Sequence, residues 1–302
     1  MNARSDALLP IETPASPTVG EDVSIVTDDG YPVAGTLLEG DGIGPLVLIS
    51  AATAVPRGFY AKFAAALVAA GARAALTYDY RGMPGSPPPK GWTKRINMKD
   101  WALQDLPAAL RRLGDVAPGH PMVGVGQSFG GQALGLCGDA DRFSRYMFVA
   151  SLNGYYGNMK HPLQVFLAMQ ALGLPIATLL GKTHRKMGLG EPIPASVFQD
   201  WARWCRTPDY FFSDPSVPET SRFADVRTPI LSIRHSDDDW GTEAAIESLL
   251  GHYVNAPIER RVLGPDHTGG APVGHLGFFR SRFRETLWPE AIEWLLGGSG
   301  PK

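Results

Sequence analysis

One serine in this chain stands where a nucleophile could be made. Val123-Gly124-Val125-Gly126-Gln127-Ser128-Phe129-Gly130-Gly131 holds a G-x-S-x-G between an apolar run and a stretch of helical, Gly/Ala-rich character. Glycines two before and two after the serine leave room for a sharp strand-to-helix turn, and a helix beginning there aims its free N–H groups at developing negative charge. A bare G-x-S-x-G arises by chance in a chain with 35 glycines; the strand and helix flanks favour a nucleophile elbow over a structural turn. A serine hydroxyl needs a base, and the base needs an acid to orient it. In the order Ser, acid, His, the acids available are Asp237, Asp238 and Asp239, and the histidines are His252, His267 and His275. Two backbone donors must also face the reacting carbonyl oxygen. The N–H of Phe129 is one, and the loop after Ile49-Ser50 supplies the other, from Thr53 or Ala52.

These residues need a scaffold that brings them together. Val23–Thr27 alternates like a strand, Asp28-Asp29-Gly30 turns, and Tyr31–Leu37 returns as a hairpin. Pro45–Ser50 is a short continuous apolar run, expected of a strand buried on both faces. Helix-like Phe59–Gly71, strand-like Arg73–Tyr78, helix-like Asp100–Leu113 and strand-like Met122–Gly126 follow. Tyr146–Ala150, Pro229–Arg234 and Ile258–Leu263 complete the strands, and Glu285–Leu296 closes the chain as a helix. A hairpin followed by repeated βα units predicts an α/β fold, a doubly wound and mostly parallel sheet with helices on both faces. In such a sheet the acid and the histidine belong at the carboxyl ends of later strands, as the Asp237–Asp239 cluster after Pro229–Arg234 requires.

Residues 153–226 break the alternation. They are aromatic and irregular, with helices over Pro162–Leu172 and Ile193–Cys205 and no strand required. The expected organisation is therefore a loose arm over 1–20, a core over 21–152 and 227–302, and a helical cap over 153–226. Tyr155, Tyr156, Phe166 and Trp201 of that insertion are candidate walls of a pocket for a lipophilic ligand, against the plainer reading of a second layer of core.

Composition narrows the partners. Lys+Arg number 28 against 30 Asp+Glu, a net charge of −2, so the basic surface that nucleic acid or an anionic membrane would require is not apparent. With 44% apolar residues the chain can bury a core, and disorder is excluded for most of it. The nearest approach to a bilayer span, His161–Gly181, is expected to be interrupted by Pro162, Gly173 and Pro175, so no membrane span is predicted. Cys137 and Cys205 form neither a disulfide framework nor a metal-ligand cluster, and no metal or cofactor is expected. The N-terminal segment has no continuous apolar core, which makes a cytoplasmic location the expectation.

Gly126-Gln127-Ser128-Phe129-Gly130, the earlier Asp79-Tyr80-Arg81-Gly82-Met83-Pro84-Gly85-Ser86, the Asp-rich loop and a Gly-His near the end together resemble the α/β-hydrolase superfamily. The likeness is to its bacterial branch related to serine aminopeptidases and monoacylglycerol-lipase-like enzymes, and it runs from about residue 22 to residue 297. The resemblance implies a structural role for Arg81 and Ser86. It also implies a catalytic acid at the end of a G-x-x-D, where His235 replaces the Gly and Asp238 falls on the acid, with Asp237 and Asp239 as alternatives. His275, in Val273-Gly274-His275-Leu276-Gly277, fits the base, and His267 is the alternative; His235 is expected to be a loop residue. The implied activity is cleavage of an ester or related acyl bond in a small lipophilic substrate, without cofactor, through Ser128, Asp238 and His275. An acyltransferase and a non-catalytic ligand-binding relative are the alternatives.

Overall fold

The computed structural model describes residues 20–297; the predicted N-terminal arm lies, but for Gly20, outside them. Eight strands form one sheet: β1 (Glu21–Val26), β2 (Pro32–Glu39), β3 (Leu46–Ser50), β4 (Ala74–Tyr78), β5 (Met122–Gln127), β6 (Phe143–Val149), β7 (Ile230–His235) and β8 (Ile258–Leu263). Their order across the sheet is β1-β2-β4-β3-β5-β6-β7-β8. The β1–β2 and β2–β4 pairs are antiparallel, and every later pair is parallel. Strands β3 and β4 are buried at every residue, as their unbroken apolar sequences demand. Strand β8, with Glu259, Arg260 and Arg261, is the half-exposed edge.

Helices α1 (Ala61–Ala69), α2 (Leu106–Gly114), α3 (Phe129–Cys137), α7 (Glu243–Leu250) and α8 (Trp288–Leu296) belong to this core. The chain leaves β3 toward β4 on one side and reaches β5 on the other, so the strand order reverses between β3 and β5. A crevice opens at such a reversal, outside the carboxyl ends of the strands. Here the loop after Ser50 and the turn after Gln127 flank it, and Ser50 pairs directly with Gly126.

Between β6 and β7 the described chain is helical, with α4 (Pro162–Phe166), α5 (Leu174–Leu180) and α6 (Ala195–Cys205) and one isolated bridge, Lys182 to Pro194. The expected interruptions at Gly173 and Pro175 do not end the helix. A wider π-helical stretch, Leu167–Gly173, joins α4 to α5, so the helical run is continuous from Pro162 to Leu180. Proline lacks an N–H and its ring collides with the carbonyl four residues back; a π turn ending just before it changes that register, and Pro175 falls in the first turn of α5, where its N–H is not needed.

Candidate active site

Ser128 is the residue between β5 and α3, and its backbone has φ 51° and ψ −110°. A non-glycine residue held at positive φ is strained, and such strain persists where the surroundings over-determine it. The surroundings here are close backbone packing. A Cβ on Gly126 would overlap the carbonyl of Gly130, and one on Gly130 would overlap the carbonyl of Ser50. The two glycines of the motif thus let α3 start directly against β3. The ring of Phe129 is buried, edge-on to Tyr80 at 5.8 Å and to Trp101 at 5.5 Å, and these two stack on each other at 4.6 Å. That packing anchors the helix N-terminus whose first N–H belongs to Phe129.

The three neighbouring acids have three different partners. Asp238 accepts the His275 Nδ1 hydrogen bond at 2.7 Å and the Trp240 N–H at 2.8 Å. Asp237 accepts the backbone N–H groups of Val273 and Gly274, at 2.8 and 3.0 Å. Asp239 pairs with Lys160 at 2.8 Å and lies 3.5 Å from His161. Burial works to raise the pKa of Asp238, but the charge and hydrogen bond of His275, with the N–H groups of Gly241 and Trp240, outweigh it and hold the carboxyl below its ordinary value. His267, the alternative base, is exposed in a 3₁₀ turn after β8, and His252 stacks on Phe212 at 3.4 Å.

His235 is not a loop residue. It is the last residue of β7, fully buried, with Nδ1 2.8 Å from the Gly274 carbonyl. Burial pushes its pKa down to about 4, so the ring is neutral at pH 7 and Nδ1–H donates to that carbonyl. The Val273–His275 loop is gripped from one more direction. Gln127, the residue before the serine, donates from Nε2 to the His275 carbonyl at 3.0 Å, and its Oε1 accepts from the Tyr60 hydroxyl at 2.6 Å. Tyr60 in turn accepts the Ala52 N–H at 2.9 Å. Of the two donors considered for the second oxyanion position, the Ala52 N–H is therefore occupied, and Thr53 lines the cavity. Its neighbour Ala54 has φ 61°, another strained non-glycine residue in the same loop.

A cavity of about 180 Å³ opens at this point, lined by Ser128 and His275, by Ala52, Thr53 and Val55, and by Trp201, Trp240, Gly188, Leu189 and Leu276. Of the four aromatic residues expected to wall it, Trp201 does so. Tyr155, Tyr156 and Phe166 are absent from this lining; Tyr156 meets Tyr155 at 5.4 Å and Phe166 at 5.5 Å in a cluster of their own. An aromatic-rich insertion cannot tell which rings face inward, because core and pocket use the same residue types. Sequence reasoning missed Trp240, 6.0 Å from the His275 ring and 6.1 Å from Trp201, although its place two residues after Asp238 was a signal. It also missed the stretch around Leu189, where the Glu191 N–H binds the Ala54 carbonyl at 2.8 Å and ties the insertion to the loop after β3.

The Asp79–Ser86 loop is held by its own polar network. Arg81 donates to Asp105 from N and Nε, at 2.8 and 2.6 Å, and to Asp29 from both terminal nitrogens. Ser86 donates to the Asp79 carbonyl at 2.9 Å and accepts the Ala34 N–H. Both residues are therefore structural. Cys137 and Cys205 are buried free thiols.

The sequence profile of the Alpha/beta hydrolase family matches residues 46–285. No curated protein matches the sequence. Among solved structures, the chain resembles an esterase of Pyrococcus furiosus at 16% identity and a TM-score of 0.63, over 97% of this chain and 96% of that one. It also resembles a soluble variant of the Saccharomyces cerevisiae monoglyceride lipase solved with a substrate analogue, at 16% identity and a TM-score of 0.64, over 98% and 100% of the two chains. An esterase from Exiguobacterium antarcticum is similar at 12% identity and a TM-score of 0.59, over 91% of this chain and 99% of that one.

Proposed function

The chain belongs to the alpha/beta hydrolase family, and from that premise we propose that it is a serine hydrolase cleaving an ester of a small, lipophilic acyl substrate. The observation that carries the reading is the 2.7 Å contact between Asp238 and His275, made at the rim of a cavity that the strained Ser128 also lines. With Nδ1 engaged by the carboxylate, Nε2 is the nitrogen left to take the serine proton. Ser128 Oγ then attacks the carbonyl carbon, and the N–H groups of Phe129 and Thr53 receive the oxyanion. His275 returns the proton to the leaving alcohol, and a water molecule, activated by the same ring, releases the acid and regenerates the serine.

The cavity sets the scale of the acyl group. A dry cavity of about 150 Å³ accommodates benzene, and the 180 Å³ here, walled by Trp201, Trp240, Val55 and Leu189, suits a short acyl or aryl group. Among the described residues no Asp, Glu, Lys or Arg side chain lines it, which favours an uncharged substrate.

A fluorophosphonate probe should label the protein at Ser128, and Ser128→Ala should abolish labelling and lower p-nitrophenyl ester turnover by about 10⁴–10⁶ while melting cooperatively. Retained turnover in that variant would overturn the mechanism. Acyl release that added alcohol accelerates beyond hydrolysis would redirect the reading to acyl transfer, and failure of the intact protein to label would redirect it to ligand binding.

A further inference from the structure

The helical run Pro162–Leu180 contains no charged residue. Its buried positions are Val165, Met169, Gly173 and Ala177, a single i, i+4 ridge. Gly173 lies against α6, where a Cβ would press on the Phe198 ring. Two of the three polar side chains of the run are also used on that side: Gln170 donates to the Ala202 carbonyl at 2.5 Å, and Thr178 accepts from Gln199 at 3.2 Å. What remains outside is aliphatic but for Gln164. Leu163, Leu167, Leu172, Ile176, Leu179 and Leu180 are 41–86% exposed. A surface helix normally carries charge on its outer face; here the outer face is as apolar as the ridge, and a contiguous apolar surface of this kind marks an interaction site.

We propose that this helix docks on an anionic lipid surface, lying in the interface with its outer leucines among the acyl chains; the chain is near neutral as a whole, and the basic charge that such a surface requires is local, beside the helix. Two observations select that occupant. First, outside the buried ridge the exposed surface is broad and largely apolar, with Gln164 and Thr178 its uncharged polar side chains. A folded partner or a second copy would cover one side of it, whereas a fluid acyl phase wets its whole breadth. Second, the charges that the helix lacks come immediately after it: Lys182, Arg185 and Lys186 are exposed, and Lys182 and Lys186 form no ion pair among the described residues. An apolar helix with basic residues at its end matches acyl chains below and anionic headgroups at the rim. The helix does not cross the bilayer, because both of its ends return to one sheet through β6 and β7. The segment that follows the lysines reaches the cavity at Gly188 and Leu189, so docking places the cavity's cap wall close to the lipid.

The test is flotation of the full chain with vesicles of phosphatidylcholine alone and of phosphatidylcholine with one-third phosphatidylglycerol. The reading needs no turnover and stands apart from the hydrolase assignment. Binding to the phosphatidylglycerol vesicles is expected. It should fall about tenfold or more when Leu163, Leu172 and Leu179 are together replaced by Ser, and by about tenfold when Lys182→Glu and Lys186→Glu are combined. Both variants change exposed side chains and should melt as the parent does. Absence of flotation with either vesicle, or flotation unchanged by the three serines, would overturn the proposal. So would a dimer in light scattering that the serine variant splits without any vesicle binding, since that outcome assigns the face to a second copy.

Discussion

The Val273–His275 loop and the Pro162–Leu180 helix both adjoin elements that line the cavity, yet they are held in opposite ways. The three residues of the loop take part in five hydrogen bonds, to Asp237 twice, His235, Asp238 and Gln127. The nineteen residues of the helix take part in two side-chain bonds to α6 and otherwise rest on one apolar ridge. Directional bonds in a low-dielectric interior fix a group to a fraction of an ångström, and they are costly to leave half-made. Apolar contact fixes area and tolerates sliding. The loop carries the imidazole whose position would decide proton transfer; the helix carries surface.

The sharpest way to break this comparison is to change the acids one at a time. Asp238→Asn should lower kcat for a p-nitrophenyl ester by about 10⁴, because the imidazole loses its orienting carboxylate. Asp239→Asn, whose partners are the exposed Lys160 and His161, should leave kcat within about twofold. Equal effects would mean that the loop is not the precise element.

The next largest effect is on stability. The unfolded chain protonates its histidine near pH 6.5, whereas folded His235 resists until about pH 4. The folded state therefore keeps its full stability above pH 6.5 and loses it as the pH falls toward 4. The loss should reach about 3 kcal/mol, read by urea unfolding across that range. His235→Asn should remove this pH-dependent part, and an unchanged slope would show that the buried ring is not what couples the loop to pH.

Gln127→Ala should lower kcat about tenfold with KM little changed, since it frees the His275 carbonyl and the Tyr60 hydroxyl without touching the cavity wall. Tyr60→Phe should act in the same direction more weakly. A change confined to KM would place Gln127 in substrate binding instead. The effects on the helix are on stability alone and divide along its two faces. Met169→Ala on the ridge should cost about 2–3 kcal/mol, while Leu179→Ala outside should stay within about 0.5 kcal/mol, both by thermal or urea unfolding.

Much of this molecule was legible in its residues. Apolar runs of five or six between turn residues, such as Leu46–Ser50, fit strands buried on both faces, being too short for a helix, and the G-x-S-x-G between such a strand and a Gly-rich helix fits a sharp turn. These are local properties, set by periodicity and by the room that a missing Cβ leaves, so sequence alone determined the sheet, the elbow and the position of Ser128. Three adjacent aspartates have nearly identical local chemistry. Their separation into a ring partner, a backbone clamp and a surface ion pair came from which segment each met across more than thirty residues of sequence, or nearly eighty in the case of Asp239. The same holds for Gln127, unremarkable in sequence until Tyr60 and His275 close on it, and for Tyr155 and Phe166, whose rings turned away from the cavity. It holds above all for Pro162–Leu180, whose composition reads as interior and whose surface the fold left uncovered. Tertiary structure decided these points because burial and partnership are properties of pairs of segments, and a single segment carries only half of each pair.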